Sequence, residues 1–330
     1  MDSKTIIVTG AAGFIGSQLS LKLQGLGHNI FGIDNFNDHL YSPKLKAKRH
    51  NQFSIPIAQM DIRDPVHMRA NFLDIIMDRG LKIDYLIHLA AHAGVRDSFG
   101  KEPEYHSNNI DGTQKLIELL EKLSPETKVI YASTSSVYGG TPISENGWTE
   151  DKVQGHQLNA YAYTKYINEC QFKISKLHAV GLRFFTVYGP WGRPDMALFQ
   201  FTKRILAEEP IDVYNYGDMK RDFTYIDDIL NGIVVVLENM EDGKIDDGEI
   251  FNIGRGEQVQ LMDFVKAIEN NVGKKALINL APKHPADTKE TWSNTEKLQA
   301  LGYKPETSID EGVAKFYKWY KKHYYAQENL

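Results

Sequence analysis

The stretch VTGAAGFIGS, residues 8–17, decides how this chain is interpreted. Its three glycines follow a run of β-branched residues and precede a helical pattern. Glycines at such a turn permit a tight connection and let a backbone approach a pyrophosphate, while the free N–H groups of the helix start bind phosphate. The turn therefore predicts a dinucleotide site, the alternative being a glycine-rich turn of purely structural use. The expected cofactor contacts here are Gly10, Gly13, Phe14, Ile15 and Gly16.

The ends of the next predicted strands supply further cofactor contacts. Asp34 ends FGID about 20 residues beyond the glycines, where a carboxylate accepts hydrogen bonds from ribose hydroxyls. It also repels a 2′-phosphate, which favours NAD over NADP. Asp61 and Ile62 end the third strand and are expected to flank the adenine. In HLAA, Ala90 is small enough to let the cofactor lie close, whereas His88 is interpreted as a core histidine.

Apolar runs alternate with helical patterns through the first half of the chain, as in TIIVTG, NIFGID, DYLIHLA, KVIYAS and HAVGLRFF. This alternation predicts βαβ units and an α/β, Rossmann-type doubly wound parallel sheet. We expect an NAD-binding domain over residues 1–185. A smaller mixed α/β substrate-binding lobe is expected over residues 186–330, in which residues 222–255 are apolar enough to return to the sheet.

Composition excludes several classes of protein. The 330 residues carry a net charge of -5, and the basic run KLKAKRH, residues 44–50, is isolated, so it predicts a solvated helix face and no nucleic-acid site. The single Cys170 forms no intramolecular disulfide, and the eleven histidines lack metal-ligand spacing, so no metal is expected. No window approaches the ~20 apolar residues of a membrane span, and no leader precedes KTIIVTG, which predicts a cytoplasmic protein.

The segment YAYTK places Tyr161 and Lys165 four residues apart, on one face of a helix. A lysine cation there lowers the pKa of the phenol from its usual ~10, so that a phenolate can act as a general base. The same spacing also occurs by chance on amphipathic helices, which leaves a purely structural role open for the pair taken alone.

Six motifs occur in the order typical of one superfamily: TGAAGFIG, HLAA, NNIDGT, YAYTK, DFTYIDD and FNIG. Over nearly its whole length the chain resembles the extended short-chain dehydrogenases/reductases. Within them it resembles the nucleotide-sugar epimerases, most closely the UDP-glucuronate 4-epimerases. The resemblance implies an NAD-dependent isomerase that oxidises C4 of a UDP-sugar and returns the hydride to the other face, with NAD kept bound.

The resemblance also implies roles for single residues. Tyr161 would be the base, and Lys165 would lower the pKa of its phenol and bind the nicotinamide ribose. Thr134 would be the partner of the 4-hydroxyl, and Asn109 would be a cofactor residue.

The stretch VIYASTSSVYGG, residues 129–140, contains a hydroxyl cluster, residues 133–136, that distinguishes this chain from relatives with other activities. Relatives that dehydrate nucleotide sugars have Asp and Glu where this chain has Ser135 and Ser136, and relatives that decarboxylate UDP-glucuronate have Glu in place of Ser136. Hydroxyls donate hydrogen bonds to a C6 carboxylate without adding a repelling charge. The alternative is that these serines cap the next turn.

The resemblance also extends to the second lobe. Across both lobes, the implied substrate contacts are Arg96, Thr134, Ser135 and Ser136 in the first and Thr186, Arg193, Arg221 and Asp287 in the second. Thr186 stands where hexose 4-epimerases usually have Asn, and the Arg193 guanidinium suits an anionic sugar. The alternative is a linker with a surface arginine. The chain departs from the family pattern at Asp97, Ala286 and Asn294, which puts the roles of their loops in doubt.

Four interpretations of function remain open from the sequence. The leading one is a UDP-glucuronate 4-epimerase, followed by a UDP-hexose or UDP-N-acetylhexosamine 4-epimerase, a UDP-glucuronate decarboxylase, and a non-catalytic NAD-binding protein. By analogy with such enzymes, helices near residues 105–123 and 160–176 are expected to pair two subunits as a homodimer.

Overall fold

The computed structural model describes residues 2–53 and 55–325. The strands are β1 Thr5–Thr9, β2 Asn29–Asp34, β3 Ile57–Gln59, β4 Tyr85–His88, β5 Lys128–Thr134, β6 Ala179–Phe184, β7 Thr186–Tyr188, β8 Pro210–Tyr214, β9 Lys220–Arg221, β10 Phe223–Tyr225, β11 Ile250–Ile253, β12 Val259–Gln260 and β13 Leu277–Ala281. The last five residues of the second predicted domain, 326–330, lie outside the described residues.

Helices connect these strands. They are α1 Phe14–Gly25, α2 Pro43–Phe53, α3 Pro65–Leu73, α4 Glu102–Tyr105, α5 Gly112–Leu123, α6 Ala160–Ile174, α7 Ala197–Leu206, α8 Ile226–Glu241, α9 Leu261–Val272, α10 Glu296–Gln299 and α11 Ile309–Tyr320. Short 3-10 turns lie at Ser135–Tyr138, Glu150–Lys152 and Asn215–Gly217, and π-helical turns at Asp74–Asp78, His106–Asp111 and Lys321–Tyr325.

Seven strands form one sheet in the order β11-β6-β5-β4-β1-β2-β3, and every pair in it is parallel. Successive side chains of a strand point to opposite faces. In β1, Ile6 and Val8 therefore join the core beneath α1, whereas Ile7 joins the core beneath α3 and α5. Both faces are covered, which explains the continuous apolar runs, and the predicted doubly wound parallel sheet is confirmed.

The chain after residue 185 contributes β11 to this sheet and forms further strand pairs beside it; its division into a separate substrate-binding lobe stays a prediction. Strand β11 pairs with β6 at the edge of the large sheet, and α8 packs against α1. Outside the large sheet, the described residues form the two-stranded pairs β7 with β10, β8 with β13 and β9 with β12, and α7, α9 and α11 pack against one another and against these strands. In the described ranges, none of the helices is long and apolar enough to cross a membrane.

Candidate active site

The glycine turn after β1 lies at the carboxyl edge of the sheet. Gly10 has a positive φ of 73°, its N–H donates to the Ile33 carbonyl at 2.7 Å, and a Cβ on it would lie 2.9 Å from the Ala90 nitrogen. A Cβ on Gly13 would lie 2.9 Å from the Gly10 carbonyl oxygen, and one on Gly16 would overlap that oxygen. The turn is thus a backbone-lined cradle at the start of α1, which fits a dinucleotide pyrophosphate.

Gly16→Ala is expected to destabilise the protein by about 1–3 kcal/mol, because the added methyl group overlaps the Gly10 carbonyl. It should also remove nucleotide retention, since the cradle must shift. Gly25→Ala is the matched control on the same helix, because nothing lies within 4 Å of a Cβ there. Urea unfolding together with nucleotide content per subunit would check both; equal behaviour of the two variants would contradict the prediction.

Asp34 ties this cradle to the loop after β2. Its Oδ2 accepts from the Ala12 N–H at 3.0 Å and its Oδ1 from the Phe36 N–H at 2.8 Å. The side chain is buried, and it keeps acceptor capacity for ribose hydroxyls because a carboxylate has about four acceptor sites. Asp61, beyond β3, accepts from Nε and one terminal nitrogen of the Arg63 guanidinium, and these hydrogen bonds keep the pKa of this carboxyl well below its usual range.

The loop after β4 is anchored by buried polar groups. His88 lies between the Thr9 and Thr113 hydroxyls, 2.8 and 3.0 Å from its ring nitrogens, and burial lowers its pKa to about 3. It is a core histidine. The Ala90 N–H donates to the Thr9 hydroxyl at 3.2 Å, which sets this loop against the cradle.

Asn109 fastens the same loop to α6. Its Oδ1 accepts from the His92 N–H at 2.8 Å and from Asn108 at 3.0 Å, and its Nδ2 donates to the His92 carbonyl at 3.0 Å and the Thr164 hydroxyl at 2.9 Å. Because these bonds use the full capacity of the amide, we infer that Asn109 acts on a cofactor through the loop it holds.

Tyr161 and Lys165 lie in the first two turns of α6, whose N-cap is Asn159; its Oδ1 accepts from the Ala162 N–H at 2.8 Å. Lys165 is buried, its Nζ donates to Asn168 Oδ1 at 2.9 Å, and burial lowers its pKa to about 8. The pair thus lies on one face of a well-anchored helix.

Two neighbours act on the Tyr161 phenol. Burial raises its pKa, and the Thr134 hydroxyl and the Arg193 guanidinium oppose this increase. The lowering of the phenol's pKa by Lys165 stays a prediction from the sequence. The two groups that oppose the increase here come from β5 and from the loop after β7, so the site is assembled from three separate segments.

The hydroxyl cluster forms the 3-10 turn at the end of β5. The Thr134 hydroxyl is the cap of this turn and accepts from the Ser136 N–H at 3.2 Å, so capping is not the task of either serine side chain. Ser135 and Ser136 are half-buried. In the sheet Thr134 pairs in register with Phe184, which brings Thr186 to the same edge as the serines.

Thr186 and Arg193 lie near the start of α1. Together with Phe14 they line a cavity of about 30 Å³. The Arg193 guanidinium forms a two-point ion pair with Asp195, at 3.1 and 2.5 Å. Sequence reasoning missed Asp195, although its spacing of two residues from Arg193 was a usable signal.

Arg96, Arg221 and Asp287 lie close to one another. Arg96 forms a two-point ion pair with Asp287, at 2.7 and 3.3 Å, and its guanidinium lies 3.9 Å from the centre of the Tyr214 ring. Burial lowers the pKa of Arg221 to about 10, with Asp287 opposing and Arg96 contributing to the decrease. Two cations and one carboxylate from three distant segments thus form one cluster.

The basic run at residues 44–50 was wrongly predicted to be a solvated helix face. Lys46 is 8% and Arg49 0% exposed, because the helix period places them on the inner side of α2 with Leu45. Arg49 donates to the carbonyls of Ala12, Trp191 and Gly192 and to the Tyr41 hydroxyl. It therefore joins the glycine cradle to the loop that carries Arg193.

Arg49→Met is expected to destabilise the protein by at least ~3 kcal/mol, since it leaves several buried carbonyls without donors, each at a cost of about 1–3 kcal/mol. Lys44→Met, on the exposed face of α2, is the control. Urea unfolding of both variants is the measurement. A loss below ~1 kcal/mol for Arg49→Met would mean that these carbonyls find other donors.

A buried ion pair behind the site was also missed. Arg183 of β6 and Glu169 of α6 form two hydrogen bonds, at 2.8 and 2.9 Å, and both are nearly inaccessible to solvent. Ser133, the first hydroxyl of the cluster, donates to Glu169 at 2.5 Å. The pair fixes α6 one turn beyond Lys165. No local pattern indicated it, because 14 residues separate its members.

Comparisons with known proteins agree with this geometry. The model of the NAD dependent epimerase/dehydratase family matches residues 6–254. UDP-glucuronate 4-epimerase 4 of Arabidopsis thaliana is 38% identical over 344 residues, covering 97% of this chain and 76% of that protein. A probable UDP-glucuronate 4-epimerase of Rhizobium meliloti is 35% identical, covering 96% of this chain and 97% of that one.

The fold is shared with solved structures. The crystal structure of UDP-glucuronic acid 4-epimerase from Bacillus cereus, in complex with UDP-glucuronic acid and NAD, matches with a TM-score of 0.85 and 35% identity, over 97% of this chain and 100% of that one. The resemblance predicted from the motifs is confirmed by the family match and by these relatives. The chain belongs to the NAD-dependent epimerase/dehydratase family.

Proposed function

We propose that this protein is an NAD-dependent isomerase that interconverts UDP-glucuronate and UDP-galacturonate by inverting C4. The observation that carries the proposal is that Tyr161, a half-buried residue of α6, has a phenol on which Thr134 and Arg193 oppose the increase in pKa caused by burial, at the edge of the sheet that carries the glycine cradle. A base, a hydroxyl partner and a cation are thus available in one place for an anionic sugar. The matches to the two relatives named as UDP-glucuronate 4-epimerases cover nearly the whole chain.

We assign the proton step to Tyr161. Its phenolate removes the proton of the 4-hydroxyl and later returns one, while Thr134 holds that hydroxyl in line and Lys165 supports the phenolate with its charge. When bound, NAD would supply the redox chemistry of the reaction, which is hydride transfer at C4. Gly10, Gly13, Phe14, Ile15, Gly16 and Asp34 would hold it, with Asp61, Ile62 and Ala90 lining its adenosine and ribose ends.

We assign the C6 carboxylate to Ser135, Ser136, Thr186 and Arg193. A 4-keto uronic acid is a β-keto acid and loses CO₂ readily, so the carboxylate must be bound firmly and kept from a proton donor. Hydroxyls and a guanidinium provide such binding. Because Thr134 caps the turn, neither serine side chain is used for capping; the Ser136 oxygen accepts from the Thr134 hydroxyl at 3.3 Å, and its own proton can still be donated.

Ser136→Glu is expected to divert turnover toward a decarboxylated pentose product, from a trace to at least ~10% of product. The added carboxyl group is a proton carrier beside the sugar and also repels the C6 carboxylate. Ser136→Gln, of similar size without the acid, is the control. Proton NMR of the product mixture is the measurement, and an unchanged product ratio in the Glu variant would exclude the missing acid as the protection.

We assign the UDP moiety to Arg96, Arg221 and Asp287. The two guanidinium groups suit a diphosphate, and the Asp287 carboxylate suits a ribose hydroxyl. The Arg96–Asp287 ion pair already joins the loop after β4 to the segment after β13, so nucleotide binding would exchange partners within an existing cluster.

The test of the function is proton NMR of the purified protein with UDP-glucuronate and no added NAD. UDP-galacturonate is the expected product, and its formation also requires cofactor carried through purification. Formation of UDP-xylose would favour a decarboxylase. If UDP-glucuronate does not react but UDP-glucose or UDP-N-acetylglucosamine is turned over, the result would favour a hexose epimerase. If none of these substrates is turned over, the result would favour a non-catalytic protein.

We also propose a homodimer built from α5 and α6. Tyr163 and Ile174, eleven residues apart and therefore on one face of α6, are 44% and 83% exposed. A second copy would cover them, and light scattering that gave only monomer would exclude this.

The cytoplasmic location stays a prediction; Cys170 is a free, exposed cysteine.

A further inference from the structure

Two loops that leave the sheet on opposite sides of β1 touch each other. The sheet order places β1 between β4 and β2, so the loop after β2, residues 35–42, and the loop after β4, residues 89–101, begin on either side of the glycine cradle. The rings of His39 and His92 stack, with centroids 3.9 Å apart and planes 15° apart. Beside them a Cβ on Gly94 would lie 2.9 Å from Leu40 Cδ2. The contact therefore spans the carboxyl end of β1.

Polar groups hold each histidine in place. His39 Nε2 lies 2.9 Å from Asp97 Oδ2 and 3.3 Å from the Tyr105 hydroxyl, and its side chain is only 9% exposed. Tyr105 in turn donates to Asp97 at 3.1 Å. On the other side, Asn109 bonds both the N–H and the carbonyl of His92. The stack is thus a fixed contact between two anchored loops.

We propose that the His39–His92 stack, held by Asp97, is a clasp over the cofactor's pyrophosphate bridge that sets the rate at which NAD leaves. The proposal rests on the proposed function in one respect, that NAD occupies the glycine cradle. An enzyme that regenerates its cofactor at every turnover has no need to release it, so a slow-opening clasp suits the reaction. His39 and His92 are then cofactor-retaining residues that the reaction chemistry does not use.

The clasp predicts that the effects of His39 and His92 on the rate of NAD release depend on each other. The cofactor can leave only when the two loops separate, and losing either ring removes the whole stack. His39→Ala and His92→Ala should therefore each speed NAD release by roughly tenfold, the size expected for one stacked pair and its hydrogen bonds. The double variant should release NAD no faster than the faster single variant, because contacting residues are not additive.

The first measurement is displacement of bound NAD by an excess of fluorescent etheno-NAD in both single variants, the double variant and the wild type. His67→Ala, which removes a histidine whose side chain is 74% exposed on α3, is the control and should match the wild type. Faster release with strong coupling between the two histidines supports the clasp. Release within twofold of the wild type, or fully additive effects, overturns it.

The second measurement needs no cofactor. Hydrogen exchange of nucleotide-free protein should show protection of residues 35–42 and 89–101, and His92→Ala should increase exchange in both loops. Loss of protection only in the mutated loop, or no protection in the wild type, overturns the clasp. A protein that binds no NAD but shows this coupled protection would contradict the proposed cofactor and leave the contact between the loops established.

Discussion

Replacing Tyr161 by Phe is expected to lower kcat by at least ~1,000-fold while leaving bound NAD in place. A positioned general base contributes about 10²- to 10⁴-fold, and this variant removes only the oxygen that carries the proton. The ring should stay, since α6 is anchored by its Asn159 cap and by the Glu169–Arg183 pair. Initial rates by NMR and nucleotide content of the purified variant are the measurements.

Tyr163→Phe is the matched control, because Tyr163 lies two residues away on α6 and therefore on the opposite side of the helix from Tyr161, and it is 44% exposed within one subunit. It should keep wild-type kcat. The pH dependence gives a second readout. Burial raises the pKa of the Tyr161 phenol, and only its deprotonated form is a base, so kcat/KM should rise with pH toward that pKa. The Phe variant should lack this limb; retained activity above a few per cent, or an unchanged pH profile, would remove Tyr161 from the proton step.

Arg183→Met is expected to destabilise the protein by about 3–5 kcal/mol, the usual cost of leaving one member of a buried ion pair uncompensated. Burial alone would lower the pKa of Arg183, but the hydrogen bonds and charge of Glu169 overcome this and raise it, so the two charges depend on each other. The variant leaves Glu169 buried without its cation, while Ser133 still donates to it. Urea unfolding measures the loss.

The double variant Arg183→Met with Glu169→Leu separates the charge effect from packing. Replacing both members by apolar side chains of similar volume is often neutral, so much of the stability should return. Kinetics of the double variant then show whether α6 still holds Tyr161 and Lys165 in place. Equal instability of the single and double variants would mean that shape, rather than the unpaired carboxylate, causes the loss.

The cofactor cradle was predictable because its requirements are local. A turn with the Gly10 φ of 73° and the overlap that a Cβ on Gly16 would create are consequences of a few neighbouring residues. The same holds for Tyr161 and Lys165, since a spacing of four on a helix fixes their common face. The alternation of apolar runs with helical patterns likewise reflects short-range periodicity, and it predicted the parallel sheet.

The basic run of α2 shows where local reasoning failed. Composition indicated a solvated face, but the carbonyls that bind Arg49 belong to Trp191 and Gly192, more than 140 residues further along the chain. A guanidinium is buried only where such acceptors converge. The sequence carried no signal for this, because the acceptors are backbone atoms that every residue has.

By itself, then, the sequence determined the elements whose geometry lies within a turn or a strand: the glycine cradle, the Tyr161–Lys165 spacing, the hydroxyl cluster and the alternating pattern of the sheet. Only the tertiary structure decided which charges are buried and with whom. The Arg183–Glu169 pair, the Arg96–Asp287 bridge and the His39–His92 stack join segments 14, 191 and 53 residues apart. The physical reason is that burial makes an ionic or aromatic side chain depend on partners brought to it by packing, and no short window of sequence contains those partners.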